Sequence, residues 1–207
     1  MPEGKRFLNL FFSKNIFCGS FNDLSTLPDN HLPECCLIGR SNVGKSSLIN
    51  AIAHSQKLAK TSKKPGRTQS INIYEFDKRL NIVDLPGYGY GKFSFNQREN
   101  LSNLLKTYLM YRNNLKMIYI LIDCKVGIKN IDIDIFDLMD EINKKFKLIF
   151  NKIDICSKKY VNSQIESIES FLINYPKFHN KILVSSSKNY EGIVDIQKDI
   201  YNLESSK

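Results

Sequence analysis

No stretch of this 207-residue sequence approaches the roughly 18 consecutive apolar residues of a membrane-spanning helix, so none is expected. The opening segment MPEGKRFLNLFFSKNIFCGS lacks an A-x-A-like cleavage site, and Ser13, Lys14 and Asn15 break its apolar runs. It reads as an edge strand with a lead-in to the core, not as an export or transit signal. No C-x-x-C pair occurs, and the cysteines are odd in number: Cys18, Cys35, Cys36, Cys124 and Cys156. That argues against a disulfide framework or a zinc site and points to a reducing compartment. Cys35, Cys36 and Cys124 lie in or beside apolar runs, where a free cysteine acts as a small hydrophobe. Internal repeats, low-complexity linkers, a long tail and an arginine-rich block are all missing. Acidic residues are outnumbered 21 to 30, giving a formal charge of +9. A basic surface attracts polyanions, so nucleic acid is a candidate partner. The lysines are scattered, however, with short runs only at 63–64, 144–145 and 158–159, and part of the excess reads as a lysine-, isoleucine- and asparagine-rich composition.

What remains is the length and composition of one ordinary domain with a full core. Short apolar runs alternate with longer helical patterns, which predicts βαβ units and a three-layer α/β domain. Strands are predicted at 35–39, 70–76, 80–87, 116–123, 146–154 and 181–187. Helices are predicted at 46–54, 97–111, 131–145, 159–175 and 192–203. The run SINIYEF alternates at period two and reads as a half-exposed strand. Its predicted hairpin partner is LNIVDLPG, joined through DKR.

GRSNVGKSS matches G-x-x-x-x-G-K-[ST] between a predicted strand and a predicted helix. Gly39, Arg40, Ser41, Asn42, Val43, Gly44, Lys45, Ser46 and Ser47 are therefore the expected phosphate cradle. Glycines let backbone N–H groups converge on phosphate oxygens at a helix N-terminus. Lys45 can bridge the β- and γ-phosphates, and the Ser46 hydroxyl can ligate Mg²⁺. A P-loop does not choose between ATP and GTP. NKID at 151–154 does: a carboxylate at Asp154 can accept both the N1–H and the N2–H₂ of guanine, a donor pair that adenine lacks. The Lys152 stem can cover the purine face, and Asn151 can tie this loop to the P-loop. SSSK then ends the last strand. Ser187 can offer its N–H to guanine O6, with Ser185 beside it and Ser186 bracing the loop.

Two further segments fit the γ-phosphate. In KPGRTQ, Pro65, Gly66, Arg67 and Thr68 lie between the first predicted helix and the second strand. Thr68 can ligate Mg²⁺ and touch the phosphate. In DLPG, Asp84 can hold the Mg²⁺ shell through water, Leu85 and Pro86 follow, and Gly87 can offer its N–H. Losing the γ-phosphate would release both loops. Lys45 and Thr68 are the expected catalytic pair.

GRSNVGKSSLINAI, KKPGRTQSINIYEF, DLPGYGYGK, NKID and SSSK occur here in the order of translation-associated GTPases. With FNDLSTLP ahead of the P-loop, the chain resembles the EngB family (also called YsxC or YihA) of bacterial ribosome-assembly GTPases from about residue 17 to 203. That family sits among the TrmE-Era-EngA-EngB-Septin-like GTPases. The resemblance implies a P-loop NTPase fold of the small-GTPase type, with a six-stranded, mixed but mostly parallel sheet and five helices. A lead-in over 1–33 would pack on a G domain at 34–207. It also implies GTP/GDP and Mg²⁺ as ligands, the large ribosomal subunit as partner, a cytoplasmic location, a monomer and no membrane. Two positions differ from common family usage. Asn151 stands where Thr is frequent and restores the commoner N-K-x-D form, and Gly91 stands where alanine is common. The family's cell-division and septation roles are not carried over by residues.

The position after Gly87, where many GTPases use glutamine to orient water, is Tyr88. Either a partner supplies the missing group in trans, or K⁺ does so through Asn42, whose other reading is a turn cap. The expected function is a slow, effector-dependent GTPase switch in large-subunit assembly. The alternatives are a GTP/GDP-binding assembly scaffold without significant hydrolysis and an RNA-binding module with a vestigial nucleotide site. Around the switches, Lys63, Arg67 and Lys92 are candidates for RNA phosphates. Phe93 and Phe95 are candidates for a partner contact or a staple into the core.

Overall fold

The computed structural model describes residues 3–29, 31–61, 69–89, 94–179 and 181–204. In chain order the elements are α1 (Glu3–Phe12), β1 (Ile16–Phe21), β2 (Glu34–Gly39), α2 (Lys45–Ile52), β3 (Ile71–Phe76), β4 (Leu80–Asp84), α3 (Phe95–Tyr111) and β5 (Leu115–Asp123). They continue with α4 (Asn130–Glu141), β6 (Phe146–Asn151), α5 (Lys158–Leu172), β7 (Leu183–Ser185) and α6 (Ile193–Glu204).

The strands form one sheet in the order β1-β3-β4-β2-β5-β6-β7. From β4 to β7 the neighbours run parallel, while β3 is antiparallel to β4 and β1 antiparallel to β3. The sheet is mixed and mostly parallel, as predicted. It has seven strands instead of six, because β1 adds itself to the free edge of β3. The turn between β3 and β4 places Asp77 and Lys78 at φ 51° and 54°, the left-handed pair of a tight hairpin turn.

Alternation along the strands sorts the core into two layers. Cys35 and Leu37 of β2 face α1, α2 and α6, where Leu10, Phe11, Leu48, Ile49, Ile196 and Ile200 are buried. Cys36 and Ile38 face α3, α4 and α5, where Leu105, Tyr108, Phe136, Met139 and Leu172 are buried. The helix α1 is absent from the sequence expectation, and it changes β3. Phe11 packs edge-on to Phe76, with ring centroids 6.1 Å apart. Tyr74 and Phe76 lie buried on that face, and Ile71 and Ile73 are buried on the other. The half-exposed strand expected for SINIYEF is therefore buried on both faces.

Parallel pairing has one consequence for function. The C-terminal ends of β2, β4, β5, β6 and β7 emerge on the same edge of the sheet, bringing Gly39, Asp84, Asp123, Asn151 and Ser185 together there.

Candidate nucleotide site

The P-loop turns from β2 into α2 through Gly44, which caps α2 at φ 105°. A Cβ there would lie 2.5 Å from Asn151 Nδ2, and one at Gly39 would lie 2.8 Å from the Leu121 carbonyl. Both glycines therefore let backbone run where a side chain would collide. The loop holds its own shape: Val43 N donates to the Arg40 carbonyl (3.2 Å), and Ser41 N to the Tyr88 carbonyl (3.3 Å). At the start of α2, the N–H groups of Lys45, Ser46 and Ser47 have no intrahelical acceptor available, the usual state of a helix N-terminus. They add positive potential where a phosphate would sit.

Behind them lies a buried charge cluster. Lys45 is 8% exposed and Asp84 1%. Lys45 Nζ stands 3.8 Å from Asp84 Oδ1, and the Ser46 hydroxyl donates to Asp84 Oδ2 at 3.0 Å. Burial pushes the Asp84 carboxyl above its ordinary pKa, while the Lys45 ammonium and the Ser46 hydroxyl pull it back. Asp84 Oδ1 is buried and has no hydrogen-bond partner among the described residues. An acceptor left open next to a hydroxyl, at the foot of a phosphate loop, suits a hydrated divalent cation. Beyond Asp84, Leu85 is buried in the core and its N–H donates to the Leu37 carbonyl (3.1 Å), with Pro86 and Gly87 also buried.

NKID is cross-linked to the P-loop. Asn151 Nδ2 donates to the Val43 carbonyl (2.9 Å), and Asn151 Oδ1 accepts from the Ser185 hydroxyl (2.9 Å). Lys152, at φ 64°, swings back across the loop; its Nζ donates to the Asn42 carbonyl (2.7 Å) and pairs with Asp123 Oδ2 (2.8 Å). The Ser186 hydroxyl donates to Asp154 Oδ1 (2.7 Å) and itself accepts Lys188 N and Asn189 N. Asp154 is exposed, and the Ser187 hydroxyl is buried without a hydrogen-bond partner among the described residues.

Tyr88 answers the question its position raises. Its hydroxyl donates to Asp132 Oδ1 at 2.8 Å, and Asp132 is fully buried. Burial and the Asp132 charge push the phenol well above its ordinary pKa, so it stays protonated. The other Asp132 oxygen accepts Lys129 N (2.8 Å) and lies 3.4 Å from Arg40 Nε. Arg40 also donates to the Gly127 carbonyl at 2.7 Å. The Arg40 side chain is thus committed to the β5–α4 connection and the start of α4, and Tyr88 joins it there.

Asp123 and Asp132 are absent from the residues singled out by motif. Asp123 had a faint signal, since it ends β5 as Asp84 ends β4. Nothing local marks Asp132. Pro65, Gly66, Arg67 and Thr68 lie outside the described residues, as do Lys63, Lys92 and Phe93. Phe95 is 77% exposed, which removes the staple into the core.

The 50S ribosome-binding GTPase family matches residues 34–152. A probable GTP-binding protein EngB of Ehrlichia chaffeensis (strain ATCC CRL-10679 / Arkansas) is 38% identical over 194 residues, 93% of this chain and 96% of that protein. The protein of the same name from Wolbachia pipientis wMel is 42% identical over 154 residues, 74% of this chain and 78% of its own. The crystal structure of a probable GTP-binding protein engB shares the fold, with a TM-score of 0.65 at 22% identity, covering 84% of this chain and 100% of that one. With its P-loop at the end of β2, Asp84 at the end of β4 and NKID at the end of β6, the chain belongs to the EngB family of GTP-binding proteins.

Proposed function

We propose that this chain is a slow GTPase that acts, as a cytoplasmic monomer, as a switch in assembly of the large ribosomal subunit. The observation that carries the reading is Asp84: one oxygen holds Ser46, while the other lies open beside Lys45. Such a carboxylate joins the phosphate loop to the strand that leads into Gly87. In this reading Lys45 and the amides of the P-loop hold the β- and γ-phosphates, and Asp154, Lys152 and the Ser185–Ser187 loop hold guanine. Ser46 and Asp84, the latter through water, hold Mg²⁺ together with Thr68. The bound Mg²⁺ supplies neutralisation of phosphate charge. Residues 1–33 serve as a lead-in to a G domain at 34–207. The ribosomal partner is supported by the family match and by the +9 charge.

The Tyr88 hydroxyl is engaged by Asp132, so Tyr88 does not orient the hydrolytic water, and that group comes from the partner. The alternative source is K⁺, which the side-chain oxygen of Asn42, exposed on the loop at φ 61°, would hold and which would supply neutralisation of phosphate charge there. Single-turnover hydrolysis with and without large subunits tests this. A rise of at least about tenfold with subunits is expected, since completing a GTPase site in trans has large effects. An unchanged rate would remove the effector dependence, and no turnover under either condition would leave the non-hydrolysing scaffold. Cosedimentation should differ between GDP and a non-hydrolysable GTP analogue; equal binding removes the switch. The same assay in K⁺ and Na⁺, repeated with Asn42→Ala, decides the K⁺ role, which equal rates in wild type would end.

Tyr88→Phe separates structure from catalysis. Removing a hydrogen bond to a buried carboxylate should lower unfolding stability by about 1–3 kcal/mol in urea titration. Hydrolysis should stay within about threefold. A tenfold loss of rate at unchanged stability would make the hydroxyl a water-orienting group.

A further inference from the structure

Phe12 ends α1, His54 follows α2, and Tyr190 lies between β7 and α6. These three places, far apart in sequence, deliver one stack. The Phe12 and His54 rings lie 4.0 Å apart at 20°, and the His54 and Tyr190 rings 5.8 Å apart at 10°. All three residues are exposed, and neither Phe12 nor Tyr190 belongs to either hydrophobic core.

Two of the three lie in the left-handed region. His54 has φ 46° and Tyr190 φ 61°. Histidine reaches this region more readily than most residues, whereas for a tyrosine it is uncommon and Gly or Asn is easier. At His54 the reason for the left-handed turn is plain: it closes α2, with Ser55 N donating to the Asn50 carbonyl at 2.9 Å. That cap needs the backbone conformation and does not need a ring. What His54 and Tyr190 add is aromatic surface. Partial burial also lowers the His54 pKa from its ordinary value, which favours the neutral ring.

Each ring has an exposed lysine close by in sequence: Lys14, Lys57 and Lys188. None is more than three residues from its ring, a span of at most about 11 Å. Parallel aromatic rings on the surface, each with a lysine two or three residues away in sequence, match single-stranded nucleic acid, whose unstacked bases offer π-faces and whose backbone offers phosphates. A duplex keeps its bases stacked inside and offers no such face. We propose that Phe12, His54 and Tyr190 form a stacking platform for unpaired RNA bases, with Lys14, Lys57 and Lys188 on the backbone phosphates. The choice of RNA over DNA rests on the ribosomal reading above. Tyr190 comes three residues after Ser187, and the Ser186 hydroxyl accepts the intervening Lys188 N and Asn189 N, so Tyr190 adjoins the base-side loop.

The test uses the full chain bound to GDP, a labelled ten-nucleotide oligoadenylate, and a blunt duplex of the same length. Wild type should bind the single strand more tightly than the duplex. Tyr190→Ala and Phe12→Ala should each weaken single-strand binding about 5- to 150-fold, the range for loss of one stacked base. Tyr190→Phe should keep it, and GDP affinity should stay within about twofold in all of them. His54→Asn keeps the left-handed cap while removing the ring, and it too should weaken the single strand. Replacing all three lysines with glutamine should lower the slope of log K against log salt by about 2. Equal affinity of wild type for duplex and single strand, or no response to the aromatic variants, overturns the proposal. So does a Tyr190→Phe variant as weak as Tyr190→Ala. If the aromatic variants keep RNA affinity but lose cosedimentation with large subunits, the face binds protein and the RNA platform is wrong. If wild type fails to cosediment but shows the ring-dependent RNA binding, the ribosomal reading falls and the platform stands.

Discussion

Lys45→Ala should raise the Kd for both GTP and GDP by at least about a hundredfold. The ammonium is nearly buried and stands 3.8 Å from Asp84 at the foot of the phosphate loop. Truncating one partner of a buried charge pair across a binding interface typically costs about 2–5 kcal/mol, and about 3 kcal/mol already corresponds to more than a hundredfold in Kd. Here the loss falls twice. The phosphates lose a charge-assisted donor, and the Asp84 carboxylate, already pushed up by burial, loses the cation that pulls it back. Titration with a fluorescent nucleotide reads the first effect. A melting curve of the nucleotide-free protein reads the second and shows whether the variant is folded. A folded variant with Kd within threefold of wild type would remove Lys45 from the site.

Asp154→Asn should exchange the preferred base. A carboxylate presents two acceptors to the N1–H and N2–H₂ of guanine, and the Ser186 hydroxyl, donating to Oδ1 at 2.7 Å, fixes the carboxylate's orientation. Asparagine turns one acceptor into a donor. Against guanine it then meets an amine with an amine, and a mismatched polar group in a binding site is costly. GTP affinity should fall about a hundredfold or more. Xanthine carries a carbonyl where guanine carries the amine, so xanthosine triphosphate should gain over GTP in competition. Unchanged GTP binding, with no gain for the xanthine nucleotide, would place base recognition elsewhere. Ser186→Ala, which keeps the carboxylate and frees its orientation, should show the smaller loss of the same sign.

The legible parts of this protein are those written in contiguous residues at strand ends. GRSNVGKSS, DLPG, NKID and SSSK each close a parallel strand, and parallel pairing alone brings them to one edge. The tie from Asn151 to the P-loop could be anticipated for that reason. Contacts between elements could not. Lys152 meets Asp123 across 29 residues, and Tyr88 meets Asp132 across 44, with no spacing rule linking either pair. Helix α1 had a local signal that the broken apolar runs obscured: Phe7, Leu10 and Phe11 fall at helical spacing, and Leu10 and Phe11 are fully buried. Because α1 was missed, so was the burial of β3, whose alternation describes the strand correctly while its cover comes from elsewhere in the chain. The seventh strand was half visible, as an edge strand in the lead-in, but its pairing with β3 is a tertiary fact.

The cross-links of the base side carry a thermodynamic consequence. Asn151, Lys152, Asp123 and Ser185 bind one another and the P-loop. Under the proposed function, Asn151, Lys152 and Ser185 serve the guanine, the part of the nucleotide that GTP and GDP have in common. A substitution there shifts both affinities by the same factor, and a ligand shifts an equilibrium only through its differential affinity for the two states. Under the same reading, the ratio of the two dissociation constants, which sets how far the cell's GTP:GDP ratio occupies the on state, is governed by the residues that meet the γ-phosphate: Lys45, Thr68, Asp84 and Gly87. Occupancy and set point would then be adjusted by separate groups of residues.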